Sequence, residues 1–253
     1  MKINVRKRIG EVVIVTEGNN PEFKIIKGIF HNFLGYTVYS KKRNKEDIVE
    51  LAGYDVDSRI LLLNTPTNNI NCLENEEDFY DFLYKEISKK FDVDLTNDST
   101  FIIFDRDRKN NRYGITKKLI NALTESQNDG DEQNGLLLLS YPSIEAFEIS
   151  VFEDDAYKNT FSLGSEAKAY VDKKAYGVDY YYEQNIKHAT DEFIKYLNVE
   201  KIINNVNEII IDMGKIGDAI LEKQTEKMQR DQTYSCVSQV VQILIDLGII
   251  ELE

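Results

Sequence analysis

Short apolar runs that end in polar turns alternate with helix-spaced segments through the first half of the chain. "EVVIVTEG" carries an apolar run at 12–15 and then turns polar. "PEFKIIKGIFHNFLG" follows, with Pro21 at a helix start, Phe23, Ile26, Phe30 and Phe33 near helical spacing, and Gly35 as a stop. "YTVYS" predicts a second strand over 36–40, and "RILLLNTPTNNI" a third over 60–63. The charged stretch between them, "KKRNKEDIVELAGYDVDS", reads as an exposed helix or loop. "NEEDFYDFLYKEISKKF" predicts an amphipathic helix whose acids lead and whose lysines trail, as the helix dipole prefers. "STFIIF", "YGITKKLINALTES", "LLLLS" and "SIEAFEISVF" then read as strand, helix, strand and helix.

Strands that are apolar on both faces and separated by helices predict an α/β fold. Its sheet is expected to be mostly parallel and flanked by helices. Beyond about residue 153 the pattern changes to long helical stretches with no strand alternation. The expected organisation is an α/β domain over 1–152 and an added C-terminal helical region over 153–253, packed on it. Tyr180, Tyr181 and Tyr182 fall in this second part; such a cluster either packs between helices or stacks on bases.

Composition narrows the function classes. No apolar run approaches the roughly 20 residues needed to span a bilayer, and the apolar run near the basic N-terminus is too short for a signal sequence, so a cytoplasmic protein without membrane attachment is expected. Cys72 and Cys236 are far apart and form no CxxC motif, which reads as two reduced thiols. His31 and His188 are the only histidines, which argues against histidine-based catalysis and a histidine-rich metal cage. A metal would then be held by carboxylates, which suit a hard ion such as Mg²⁺ or Mn²⁺. The formal charge of −13 weighs against a passive nucleic-acid coat protein. It leaves room for local basic clusters, of which the one flanking residues 105–107 stands beside two acids.

In a parallel sheet, sites collect beyond the carboxyl ends of strands. Glu17 follows the first apolar strand, Asp105 and Asp107 follow "FIIF", and Ser140 follows "LLLL", with Glu145 five residues on. Paired carboxylates at such ends can hold one or two divalent ions, which activate water and offset charge developing on a phosphate. Arg106, Arg108, Lys109 and Arg112 are candidates to hold a nucleic-acid backbone nearby. The alternative is structural: Glu17 caps the following helix and the Asp-Arg-Asp stretch is an exposed turn.

"VVIVTEG" and "FIIFDRDR", in this order and about ninety residues apart, resemble the Toprim domain. That catalytic fold is shared by topoisomerases, bacterial-type primases, OLD-family nucleases and RloB-like proteins. "LLLLSYPSIEAFEISVF" is similar to an RloB-like segment through Ser140, Pro142 and Glu145, with Ile144 where the family has an aromatic residue. No glycine closely follows the DxD pair, Gly114 standing further along, which departs from topoisomerases and primases. The resemblance covers roughly residues 9–152. It implies metal-dependent phosphodiester chemistry, with Glu17 as general acid/base or metal ligand, Asp105 and Asp107 as metal ligands, and Glu145 as an added ligand. Glu22 stands slightly further from the Glu-Gly pair than the second acid of OLD-like and RloB-like sequences.

The resemblance also implies a Mg²⁺- or Mn²⁺-dependent nuclease acting on DNA or RNA, in an anti-phage defence or abortive-infection setting. Such effectors work with an ATPase. This chain has no GxxxxGK[ST] phosphate loop, so the ATPase is expected as a separate partner. Homo-oligomerisation is left open. The alternatives are a non-catalytic Toprim-fold subunit that binds nucleic acid or regulates a defence complex, and a nucleotide-processing enzyme using the same acids.

Overall fold

The computed structural model describes residues 1–17, 21–39, 48–64, 99–106, 112–127, 135–176 and 181–252. Its strands are β1 (Lys2–Ile3), β2 (Glu11–Thr16), β3 (Thr37–Tyr39), β4 (Ile48–Ala52), β5 (Arg59–Asn64), β6 (Ser99–Asp105), β7 (Thr124–Glu125), β8 (Gly135–Tyr141), β9 (Thr160–Phe161), β10 (Tyr234–Ser235), β11 (Val237–Ser238) and β12 (Ile250–Glu251). The α-helices are α1 (Glu22–Lys27), α2 (Tyr113–Ala122), α3 (Glu145–Phe152), α4 (Gly164–Lys174), α5 (Glu183–Val199), α6 (Asn207–Ile211), α7 (Met213–Asp231) and α8 (Val241–Asp246). The architecture is α/β, with a mixed sheet, parallel at its centre and flanked by helices. Among the described residues no helix is long and apolar enough to cross a membrane. The expected helix over 75–91 and Cys72 lie outside the described residues.

Two compact units make up the chain. One comprises Arg6–Ile103 and Asn110–Leu137. At its centre β2 runs parallel to β5, with Val13 opposite Leu61, and parallel to β6, with Thr16 opposite Ile103. The inner residues Val12–Val15, Leu62, Leu63 and Phe101–Ile103 are all buried. β-branched and aromatic side chains covered on both faces explain why these strands show no polar alternation. At the flank β4 pairs antiparallel with β5, and β3 antiparallel with β4. The stretch expected as an exposed helix or loop therefore contains a strand: Val49, Leu51 and their neighbours are half-buried or buried by pairing with β5.

Helix α1 continues as a π-helical turn over Gly28–Phe33, in which the Leu34 N–H donates to the Ile29 carbonyl. Gly35 then takes φ +74°, a left-handed value that glycine adopts without strain. His31 Nδ1 donates to the Tyr36 carbonyl at 2.6 Å, fastening this reversal.

The other unit comprises Met1–Val5, Phe104–Lys109 and Leu138–Glu253. The division thus falls within β6 and β8 rather than at the expected 152/153. The region expected to be helical also holds β9 to β12. β11 pairs antiparallel with β8, Val237 opposite Tyr141, and β10 pairs with β9. β12 pairs with β1, Lys2 opposite Glu251, and the Asn4 N–H donates to the Ile249 carbonyl at 2.8 Å. Helix α5 buries Ile186, Ala189, Phe193 and Tyr196 along one face and packs on α3. Gln224 of α7 locks the interior by donating to the Tyr196 hydroxyl and the Ser235 carbonyl while accepting from the Ser235 N–H. Glu153, just after α3, accepts from Tyr170, Tyr176 and Asn159 and pairs with Lys174 at 2.9 Å.

Candidate functional site

Strand ends position the carboxylates that the sequence singles out. Thr16 ends β2 with its hydroxyl donating to the Leu63 carbonyl at 3.3 Å, and Glu17, next along, is buried. Glu22, also buried, is the first residue of α1, where a negative charge is favoured by the helix dipole. Both belong to the unit of 6–103 and 110–137. Asp105 is the last residue of β6 and is half-buried. Asp107, Arg108 and Lys109 lie outside the described residues.

Arg106 and Arg112 differ in setting. Arg112 precedes α2, is exposed, and its carbonyl accepts from the Thr116 hydroxyl at 3.1 Å. Arg106 is only 4% exposed, so its guanidinium is no part of a solvent-facing rail. Its N–H donates to the Ser140 carbonyl at 2.8 Å, which joins the carboxyl ends of β6 and β8. Ser140 and Glu145 have local duties. The Ser140 hydroxyl meets that of Ser238 at 2.8 Å, and Ser143 donates to Glu145 Oε2 at 2.7 Å. Glu145 is buried at the first position of α3, where an acid also complements the helix N-terminus. Burial pushes the Tyr141 hydroxyl well above its usual range, and the Arg106 charge opposes the rise.

A second constellation, absent from the sequence reading, lies within the unit that holds 138–253. Asp154, His188 and Glu192 each offer one ligand atom, all within 4.8 Å of one another, and the three could hold a metal ion. Asp154 stands in the turn after α3; His188 and Glu192 share a face of α5 at i and i+4. The i, i+4 spacing was the available signal; the partner acid, 34 positions upstream, gave none. His188 Nδ1 lies 2.8 Å from the Ser150 carbonyl, and Nε2 lies 3.0 Å from Asp154 Oδ1. Burial lowers the His188 pKa, but Asp154 and the Ser150 carbonyl outweigh this and leave it raised. Glu192 is 6% exposed; its Oε2 accepts from the Ala156 N–H at 2.7 Å, and Lys195 Nζ lies 3.3 Å from its Oε1. Lys195 also pairs with Asp155.

Beside Glu192 a cavity of about 10 Å³, room for one water, is lined by Ser150, Ala189 and Cys236 among others. Burial pushes the Cys236 thiol up, as does the nearby charge of Glu153, so the thiol stays protonated and unreactive at neutral pH.

No family model, curated protein or solved structure matches the chain.

Proposed function

We propose that this chain is a divalent-metal-dependent nuclease of the Toprim type. It would cleave nucleic-acid phosphodiester bonds as the effector of an anti-phage defence or abortive-infection system, under the control of a separate ATPase. The observation that supports this reading most is the strand register. β2 and β6 are hydrogen-bonded parallel neighbours with Thr16 opposite Ile103, and each is followed or ended by a carboxylate, Glu17 and Asp105. The motif order "VVIVTEG" then "FIIFDRDR" supplies the rest of the argument.

The donor set is all oxygen, which suits Mg²⁺ or Mn²⁺. Asp105 and Asp107 are assigned as ligands and Glu17 as ligand or proton acceptor. Glu145, held by Ser143, would be an added ligand. When bound, the ion would lower the pKa of a water and offset charge at the phosphate. Arg108, Lys109 and Arg112 would hold the nucleic-acid backbone through charge-assisted bonds.

Cleavage of plasmid, single-stranded DNA and tRNA should require Mg²⁺ or Mn²⁺ and stop in a chelator. Glu17→Gln and Asp105→Asn should each abolish it. Activity retained in both variants would overturn the assignment. No cleavage of any substrate, with no binding of Mg²⁺ or Mn²⁺, would instead identify a non-catalytic module.

A further inference from the structure

We propose that Asp154, His188 and Glu192 form a second, independent metal site that takes a borderline transition ion, Zn²⁺ best of all, and ties the turn after α3 to α5. This proposal does not depend on the nuclease reading.

The imidazole carries the argument. A backbone carbonyl can only accept, so the Ser150 carbonyl at 2.8 Å fixes a hydrogen on His188 Nδ1. The neutral ring then presents its Nε2 lone pair to Asp154 Oδ1, 3.0 Å away. Two acceptors facing each other at that distance need a cation between them, either a proton or a metal. An Nδ1–H held by a carbonyl, with Nε2 as ligand, is the usual outer support of a metal-bound histidine.

Glu192 favours the metal. A proton between His188 and Asp154 serves two atoms, whereas the three ligand atoms gather within 4.8 Å. Lys158 and Lys195 pair with Asp155, and Lys195 also with Glu192, so these lysines leave the Asp154 carboxylate to His188 and to whatever cation lies between them. Glu192 Oε2 accepts one N–H, from Ala156, and a carboxylate oxygen has a second lone pair to give.

Geometry allows the site to close. Zinc bonds of about 2.0–2.2 Å in a tetrahedron set ligand atoms about 3.3 Å apart. His188 and Asp154 are already nearer than that, and the Asp154 side chain, 92% exposed, has room to swing toward Glu192. One nitrogen and two carboxylates leave a fourth position for water or another small ligand.

Zn²⁺ itself is the probe, titrated into the full chain in competition with a chromophoric chelator. At least one equivalent should bind the unaltered protein. Binding should survive in Asp105→Asn and weaken at least tenfold in both Asp154→Asn and His188→Gln. Asp154 is exposed, so its variant keeps the fold, which circular dichroism checks. Imidazole nitrogen NMR should show Nδ1 protonated and Nε2 shifting as Zn²⁺ is added. No stoichiometric binding, or affinity unchanged in both variants, would overturn the proposal. So would an Nε2 that stays protonated with Zn²⁺ in excess, since the pair would then be an imidazolium–carboxylate bridge.

Discussion

Glu153 should lend the fold a pH-dependent stability that can be measured directly. Its side chain is 18% exposed and receives hydrogen bonds from Tyr170 at 2.8 Å, Asn159 at 3.0 Å and Tyr176, with Lys174 at 2.9 Å. Burial alone would raise its pKa; Tyr176, Lys174, Tyr170 and Asn159 together outweigh burial and bring it from 4.5 to about 2. At about 1.36 kcal/mol per pH unit, that difference corresponds to about 3 kcal/mol. Lys174 is 46% exposed and its share is screened by water, which leaves about 2 kcal/mol. The folded carboxyl binds its proton less readily than the unfolded one. Its contribution is therefore complete above the unfolded value of 4.5 and is lost as pH falls toward 2. Glu153→Gln removes the charge and turns an amide N–H toward the donors. In urea unfolding with a chelator present, the variant should be about 2 kcal/mol less stable at neutral pH. The gap should narrow by about 1 kcal/mol at about pH 3.5. A gap that stays constant with pH, at an unchanged m value, would refute the argument.

Two glycines separate backbone strain from crowding. Gly10 (φ +71°) has nothing near the place of a Cβ, whereas at Gly35 (φ +74°) a Cβ would stand 2.2 Å from the Tyr54 hydroxyl. Gly10→Ala should cost about 1 kcal/mol. Gly35→Ala should cost about 0.5–1 kcal/mol more, because Tyr54 must leave Arg6, 5.7 Å from its ring; chemical denaturation with and without Tyr54→Ala tests this. Asp212 caps α7 by accepting from the Lys215 N–H at 2.9 Å, so Asp212→Ala should lower unfolding free energy by about 1 kcal/mol. Burial would raise the Asp212 pKa, but Lys215 outweighs it and holds it below 3.8, so the cap's contribution should be complete above 3.8 and be lost below it, as pH falls through the lower folded value, read by far-UV circular dichroism.

The central strands were legible because each is an apolar run bounded by turn residues. A strand buried on both faces writes itself that way: "VVIV", "FIIF" and "LLLL" all proved to be strand interiors. β4 was misread because "IVELA" follows a charged run and lacks strict alternation, and it is its place between β3 and β5 that makes it a strand. β10 and β11 have two residues each, too short for any period, and their identity comes from the strands they pair with. The burial of Arg106 was equally hidden, since one basic residue beside others reads as surface. Glu17 and Asp105 were legible as acids after apolar strands. The His188 constellation was half legible, through its spacing to Glu192, but Asp154 joins it only by tertiary packing.

The pairing of β1 with β12 bears on when each part of the chain can fold during synthesis. Lys2 lies opposite Glu251, so this ladder cannot form until Ile250 and Glu251 have left the ribosome. Of the described strands of the other unit, β2 to β5 have been made by Asn64, and β6, whose last two residues belong to the unit of β1 and β12, by Asp105. Contacts of short sequence separation cost less loop entropy and form sooner. The parallel centre around β2 can therefore assemble early, while the pairing of β1 must wait for β12.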